Sequence, residues 1–475
     1  MVTSNADTGP GTLRTAIAAA GNNDTINFAL SYPNTITLTN GELFIPGNLT
    51  ISGPGAANLT ISANNGSRVF HIGSSNTVTI SGLTIADGFV NAGGVGGGIL
   101  VDSATLTLKN CEIRDNLASG GSTAGGGGIY LTQSTLNLIG CNLNNNVASG
   151  NGGAVYNTGS TLTINTTTIS GNGALLGGGL YNGAGTVAAI NSFFYKNVAT
   201  HGGGIANVGA LGLATLTLNN CTFASNTVSG SSATGSQIRN ARQAANASAT
   251  ISNSTFLSDN VAPAYIGGAV YNDNGASTTI GNTIIQASIQ EHTIINAGAG
   301  AITSSGYNLA FDNGGGFLTA VTDRINTDPL LDTANGPGDN GGTTFTIALL
   351  ANSPAIDRGK RNAVSALAAP NDQRGEPRPF DDPAITNATG GDGSDIGAYE
   401  ADLRLTKTAK MTNDLQLSFT SILGKNYQLQ SRASLVSGNW GSFGNIISGN
   451  GGVATLTATN AFSQKVQFFK VLQSP

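Results

Sequence analysis

The chain reads as all-β, and as a solenoid, on three observations. Gly accounts for 68 of its 475 residues and Asn, Thr and Ser supply its polarity in place of charge, a mixture that favours turns and short strands over helices. An Asn recurs at 116, 146, 172, 197, 226 and 260, in steps of 30, 26, 25, 29 and 34 residues, and periods of 20 to 50 residues belong to solenoids, propellers or arrays. Each Asn ends a phrase with inward-type residues at i, i+2, i+5 and i+7: Leu106, Leu108, Cys111 and Ile113 in one copy, Leu216, Leu218, Cys221 and Phe223 in another.

Alternation at i and i+2 describes a strand with one buried face, and the step of three to i+5 breaks that parity, so the chain turns a corner there. A glycine phrase completes each repeat: "GGGIL" at 96, "GGGIY" at 126, "GGAVYN" at 152 and 267, "GGGLYN" at 177 and "GGGIAN" at 202. Three strands per coil of about 25 to 30 residues predict a right-handed parallel β-helix, each strand pairing with its equivalent one coil on. A propeller blade needs about 40 residues and antiparallel hairpins, which these steps do not supply. Coils about 4.8 Å apart place every residue on its own copy. The sequence therefore predicts one file holding Cys111, Cys141, Thr167, Ser192, Cys221, Ser254 and Thr283, and an amide ladder of the recurring Asn residues at a corner.

Four regions follow in order. Residues 1–23 are the expected N-terminal cap, with Thr12 as helix N-cap and Leu13, Ala16 and Ile17 on one face of "GTLRTAIAAAG". The β-helix is expected over 24–325. Residues 326–401 lose the period and gain prolines and acids, and are expected to close the helix at its C-terminal end. Residues 402–475 carry short alternating runs, "LQLSFTS", "NYQLQSR", "VATLTAT" and "VQFFKVL", which predict a small separate β-sandwich. That stretch is too short for a membrane barrel of at least eight strands.

Composition excludes several roles. The net charge is −5, the charged fraction 9%, and no basic stripe runs through the 20 Lys and Arg, so nucleic acid is not an expected partner. Three cysteines without CxxC or Cys/His spacing give neither a disulfide framework nor a zinc site. No apolar run of about 18 residues predicts a transmembrane segment, and the opening "MVTSNADTGPGTL" has no signal-peptide pattern.

The pairing of GGA(I/L/V) with FxxN, seen in "GGAV" at 152 and 267, "FYKN" at 194 and "FASN" at 223, resembles the repeats of bacterial polymorphic outer-membrane proteins. Other coils depart from it, with GGG for GGA and Ile or Leu for Phe. The segments "VTSNADTGPGTLRTAI" and "DNGGTTFTIALLANSPAIDRG" through "NDQRGEPRPF" to "DIGAYE" resemble the two ends of choice-of-anchor proteins with parallel β-helix repeats. These resemblances imply a β-helix of extracellular or cell-surface location and no particular chemistry. The last 75 residues resemble an accessory module of secreted bacterial proteins, which implies sorting, attachment or sugar binding.

Two functions are weighed on this scaffold: an adhesin-like structural protein binding polysaccharide or cell-surface glycan, and a polysaccharide lyase or glycoside hydrolase. An enzyme should bring at least two acids and a base within about 10 Å on one outer groove. Charged groups are sparse: Lys109, Glu112, Arg114 and Asp115 share one corner, Lys196 precedes His201, and Glu291 adjoins His292. None of the acids is expected to repeat in neighbouring coils, and no catalytic residues are assigned. Tyr130, Tyr156 and Tyr181 neighbour inward aliphatics and are expected to form an outward strip suited to sugar rings. Arg239 and Arg242, in an apparent insertion at 229–248, are expected to contact the same ligand. Asp392, Asp395 and Glu400 in "GGDGSDIGAYE" are the expected oxygen ligands if Ca²⁺ binds; no other cofactor is expected. Asp372, Arg374 and Arg378 are expected to form salt bridges.

Overall fold

In the computed structural model the inward residues of each coil stack on their own copies in three parallel sheets of 11, 11 and 10 strands, a right-handed parallel β-helix. The structure describes all residues except 231, 259–267, 288–291, 351, 382–384, 402–404, 422–424, 435–438, 450–452, 464–466 and 475. A typical coil runs through Thr105–Lys109 in the first sheet, Glu112–Arg114 in the second, and Ile129–Thr132 in the third. Registers pass from coil to coil without slip in the first sheet, Leu106 pairing with Leu136, then Leu162, Val187 and Leu216. In the second sheet Phe194, Phe223 and Phe256 stack at centroid distances of 4.4 and 4.9 Å. Each such fully buried side chain contributes about 2 kcal/mol.

Polar ladders occupy the corners. Nδ2 of Asn116 donates to Oδ1 of Asn146 at 2.9 Å, and the relay continues through Asn172 and Asn197 to Asn226. There Gln237 takes over, its Oε1 accepting from Asn226 Nδ2 at 2.6 Å; Asn260 lies outside the described residues. Each amide also donates to a carbonyl one coil back, as Asn172 does to Leu143, so the buried corner backbone is satisfied. A second ladder, which the glycine phrases concealed, joins Asn157, Asn182, Asn207, Asn240, Asn272 and Asn296.

The three thiols share one file, as expected. In that file the Thr167 hydroxyl accepts from Cys141 N and donates to Asn165 O, while the Cys141 thiol donates to Leu108 O. Small donor-acceptors hold that corner from Cys111 to Thr283, with Leu83 taking it one coil before and Asn308 one coil after. Burial pushes the Cys111 and Cys221 thiols up to about 12, so they stay protonated and unreactive. The glycine phrase has its own cause. Gly96 sits at φ +67°, where a Cβ would lie 2.5 Å from Ile99 O, and a Cβ on Gly97 would lie 2.5 Å from Gly127 O in the next coil.

The helix Leu13–Ala19 covers the N-terminal end, with Thr12 Oγ1 accepting from Thr15 N and Leu13 and Ile17 buried. The far end differs from expectation. Leu318 enters the main core and Phe317 packs on it, closing the helix with the chain just after its last strand, Leu309–Ala310. The described residues of 328–401 instead lie along the flank, as a strap over the second sheet. The reason is apolarity: Phe193, Ala224, Leu257, Ile284 and Leu309 project outward there and need cover, which Leu331, Ile347, Leu349, Ile356, Ile396 and Tyr399 supply. Corner asparagines fasten the strap, Asn220 donating to Asn371 O, Asn253 to Arg361 O and Asn282 to Asp395 O.

Beyond the strap, two antiparallel three-stranded sheets enclose Leu417, Phe419, Tyr427, Leu429 and Leu456. Among the described residues no helix is long and apolar enough to cross a membrane. The ladder makes a prediction: Asn172→Ala strands buried partners on both sides and lowers stability by about 3 kcal/mol, whereas Asn137→Ala on the outer surface costs less than about 0.5 kcal/mol. Equal costs in chemical denaturation would show that the ladder does not hold the coils.

Candidate functional site

Where the strap begins, the outer face of the second sheet opens into a cleft of about 710 Å³. Strand alternation builds its floor: Glu112, Asn142, Thr168 and Phe193 form one outward file, and Ser170 and Tyr195 come from the next, which continues away from the cleft through Asn144 and Arg114. Phe193 stacks on Tyr195 at 5.2 Å and 19°, and Phe345 of the strap leans on Phe193 at 6.1 Å. Phe345 is 49% exposed, so the cleft ends in an aromatic wall with a free face. Thr344 ties this wall to the helix by donating to Asn191 O at 3.0 Å. Apolar faces beside hydroxyls, an amide and a carboxylate are the surface a sugar ring presents in mirror image.

The same face carries a charged cluster. Arg114 lies 2.6 Å from Asp115 and 3.9 Å from Glu112, with Asp87 also near enough to act on its charge. Asp87 and Asp115 follow the paired residues Ala86 and Arg114, and both take φ 55°. They therefore occupy equivalent corners of successive coils, which corrects the expectation that no acid repeats. The Asp115 hydrogen bond raises the Arg114 guanidinium further above its usual range, with the other carboxylates adding to it and burial opposing it. Arg114 stays protonated, unable to take a proton from a substrate. Glu112 accepts from Asn144 at 2.9 Å and from Thr84 at 3.3 Å.

The expected tyrosine strip exists as a file, with a different exposure. Tyr130, Tyr156 and Tyr181 are register partners on the third sheet, the first two rings stacked at 4.7 Å and the third tilted by 44° at 4.8 Å. Their faces are turned to one another, and Tyr181 is 3% exposed, so the strip offers edges and hydroxyls in place of open platforms. Arg239 and Arg242 are not in an insertion. They belong to the strand Ile238–Arg242, where "GSQIRN" replaces the glycine phrase, and Arg239 continues the tyrosine file after Ala206. Arg239 pairs with Asp273 at 2.9 Å, while His201 Nδ1 lies 2.8 Å from Thr234 Oγ1.

Asp392, Asp395 and Glu400 do not meet as a cation cage. Asp395 accepts from Asp357 N and Ala401 N, Glu400 accepts from Phe380 N and Asp395 N and faces Arg378 at 3.5 Å, and Asp392 faces Arg361. Their oxygens are committed to folding the strap, where Asp372 also pairs with Arg374 at 2.7 Å. Among the described residues no group of three His, Cys, Asp or Glu side chains could hold a metal ion. Glu291 lies outside the described residues.

The cleft itself was missed by sequence reasoning. Its signal was "FFYKN", the one repeat in which an inward Phe is flanked by outward aromatics on both sides. No family model matches the chain, and no curated protein matches it. Among solved structures it is similar to the crystal structure of pectate lyase Pel9A, at 13% identity over 84% of this chain and 96% of that one, with a TM-score of 0.44. It is also similar to an alginate lyase from Paenibacillus sp. str. FPU-7, at 13% identity over 65% of this chain and 98% of that one, with a TM-score of 0.27. At 13% identity neither likeness bears on chemistry, which this chain's own residues must supply.

Burial is the main cause that raises the phenols of Tyr130, Tyr156 and Tyr181 above their ordinary value. The folded chain then holds protons that the unfolded chain releases, so this contribution to stability is complete below about pH 10 and is lost as pH rises toward the folded values. Absorbance titration should show these three phenolates forming late, together with alkaline unfolding. Ionisation near pH 10 in a folded β-helix would mean that the stack is open to water.

Proposed function

We propose that this chain is a non-catalytic polysaccharide-binding protein, adhesin-like, secreted or displayed at a cell surface, and that the second-sheet cleft is its principal glycan contact. The observation that carries the reading is the half-exposed Phe345 beside the partly exposed Tyr195, backed by the buried Phe193, standing at the end of a polar floor. Aromatic faces stack on the apolar faces of sugar rings, and the adjoining Asn142, Thr168 and Ser170 suit their hydroxyls. Successive coils repeat at about 4.8 Å, so the floor repeats along the axis on the scale of a sugar ring, as an extended chain requires. The tyrosine file and Arg239 on the third sheet are a second, more polar contact in this reading. The extracellular setting is supported by the resemblance of the flanking phrases to choice-of-anchor proteins.

A lyase or hydrolase is the second reading, favoured by Asp87, Glu112 and Asp115 around Arg114. Binding is preferred because Arg114, the guanidinium a lyase would need as its base, is held in its charged form by Asp115, and Asp115 and Glu112 are themselves engaged with Arg114, Asn144 and Thr84. Isothermal titration against neutral and uronate polysaccharides tests both. Phe345→Ala should weaken binding about tenfold, roughly 1.4 kcal/mol, with thermal unfolding unchanged and Phe345→Trp restoring affinity. Undiminished affinity in Phe345→Ala would overturn the cleft assignment, and release of reducing ends or unsaturated products would replace binding with catalysis.

A further inference from the structure

The three outer faces are built from one repeat, yet only the first carries two near-uniform files side by side. On the second sheet neighbouring coils present Glu112, Asn142, Thr168 and Phe193, and on the third His71, Leu100 and Tyr130. On the first sheet one outward file reads Thr77, Thr105, Thr135, Thr161, Thr186 and Thr215 in unbroken register, then Ser248 and Ser277. Two residues along each strand a second file holds Thr79, Thr107, Thr163, Thr217, Thr250 and Thr279, interrupted by Asn137 and Ala188. General strand propensity admits Val, Tyr or Ile at such sites as readily as Thr. It does not account for a pattern confined to one face.

The result is a two-dimensional lattice of hydroxyls and methyls. Its spacing is about 4.8 Å between coils and about 6.6 Å between files, comparable with the repeat distances of the ice lattice. The β-branched side chains are restricted at χ1, so the array needs little ordering, and ladders of stacked side chains keep such sheets flat. Apart from Asn137 donating weakly to Thr107 at 3.4 Å, these threonine hydroxyls make no hydrogen bond to the described protein and are left for water. The strap covers the second sheet, not this one. Neither file carries a charged or aromatic side chain over these eight coils, and the third outward file at the strand ends adds a single charge, Lys109, beside Ile139 and Ile190, so the two threonine files match a neutral partner and lack the ring platforms that sugars favour.

We infer that the outer face of the first sheet binds the surface of ice. Each hydroxyl anchors one water and each methyl organises the water beside it, a contact too weak to hold a single molecule. A crystal presents the same geometry at every coil, and the sum over the array becomes strong. The occupant is therefore a periodic solid of water, distinct from the polysaccharide on the second sheet.

The test uses the full chain in three measurements: thermal hysteresis with crystal shaping, capture into a slowly growing ice hemisphere, and retention on crystalline cellulose. Wild-type protein should shape ice and be enriched in the hemisphere. Thr161→Tyr, which adds bulk at an exposed site in the middle of the array, should reduce hysteresis at least fivefold, and Thr161→Tyr with Thr107→Tyr should abolish it, both with unchanged thermal unfolding. Phe345→Ala in the cleft should leave ice activity intact while weakening glycan binding, so the two readings fail separately. Exclusion of wild-type protein from ice, equal ice activity in the tyrosine variants, or loss in them of cellulose retention alone would overturn the inference.

Discussion

Every coil of this protein must lie on a copy of itself. At about 4.8 Å separation, a side chain survives in a file only if it can contact its own kind or a close substitute. Aliphatic and aromatic residues satisfy this by dispersion, as Phe194, Phe223 and Phe256 do. Asparagine satisfies it by donating and accepting through one amide, which turns a buried corner from a liability into a continuous relay. Charge does not satisfy it, because like charges one coil apart repel. The 9% charged fraction is thus a consequence of architecture. The stacked pair Asp87 and Asp115 is the exception, and Arg114 stands beside it as the compensating cation.

Self-stacking also explains which parts of the molecule could be read from the chain. The Asn116 ladder and the thiol file were legible because their residues recur with the same neighbours. The Asn157 ladder was hidden in plain view, since its asparagines close phrases whose glycines suggest only a turn. Arg239 was misread for the opposite reason: Ser236 and Gln237 replace two glycines of that phrase, and Gln237 is there to finish the relay from Asn226. A residue that ends a ladder cannot look like one that continues it.

The strap and the cleft lay beyond reach because neither is periodic. Contacts such as Thr222 with Gln373 and Thr255 with Ala398 span about one hundred and fifty residues and accompany the covering of apolar residues from two outward files, Ile284 and Leu309 in one and Ala224 and Leu257 in the other. That apolarity is visible in "TFAS" and "TFLS" only once the strand direction is known. The cleft exists because the cover stops at Phe193, and the next coils of that outward file are the polar Thr168, Asn142 and Glu112. Its aromatic wall is thus the exposed margin of a packing interface. Cover and binding surface share one set of residues.

A solenoid of this kind separates its tasks by file. The interior files hold the coils, the corner files satisfy the backbone, and the outward files are free to vary without disturbing either. Variation on the second sheet produced a cleft, and on the third a closed tyrosine stack ending in an ion pair. Uniformity on the first sheet then requires a cause of its own, because nothing in the fold imposes it. The inward residue between the two files passes from Leu162 to Val187 to Leu216 while Thr161, Thr186 and Thr215 beside it stay threonine. A constraint that acts on the outside of one sheet, coil after coil, is a constraint set by whatever touches that sheet.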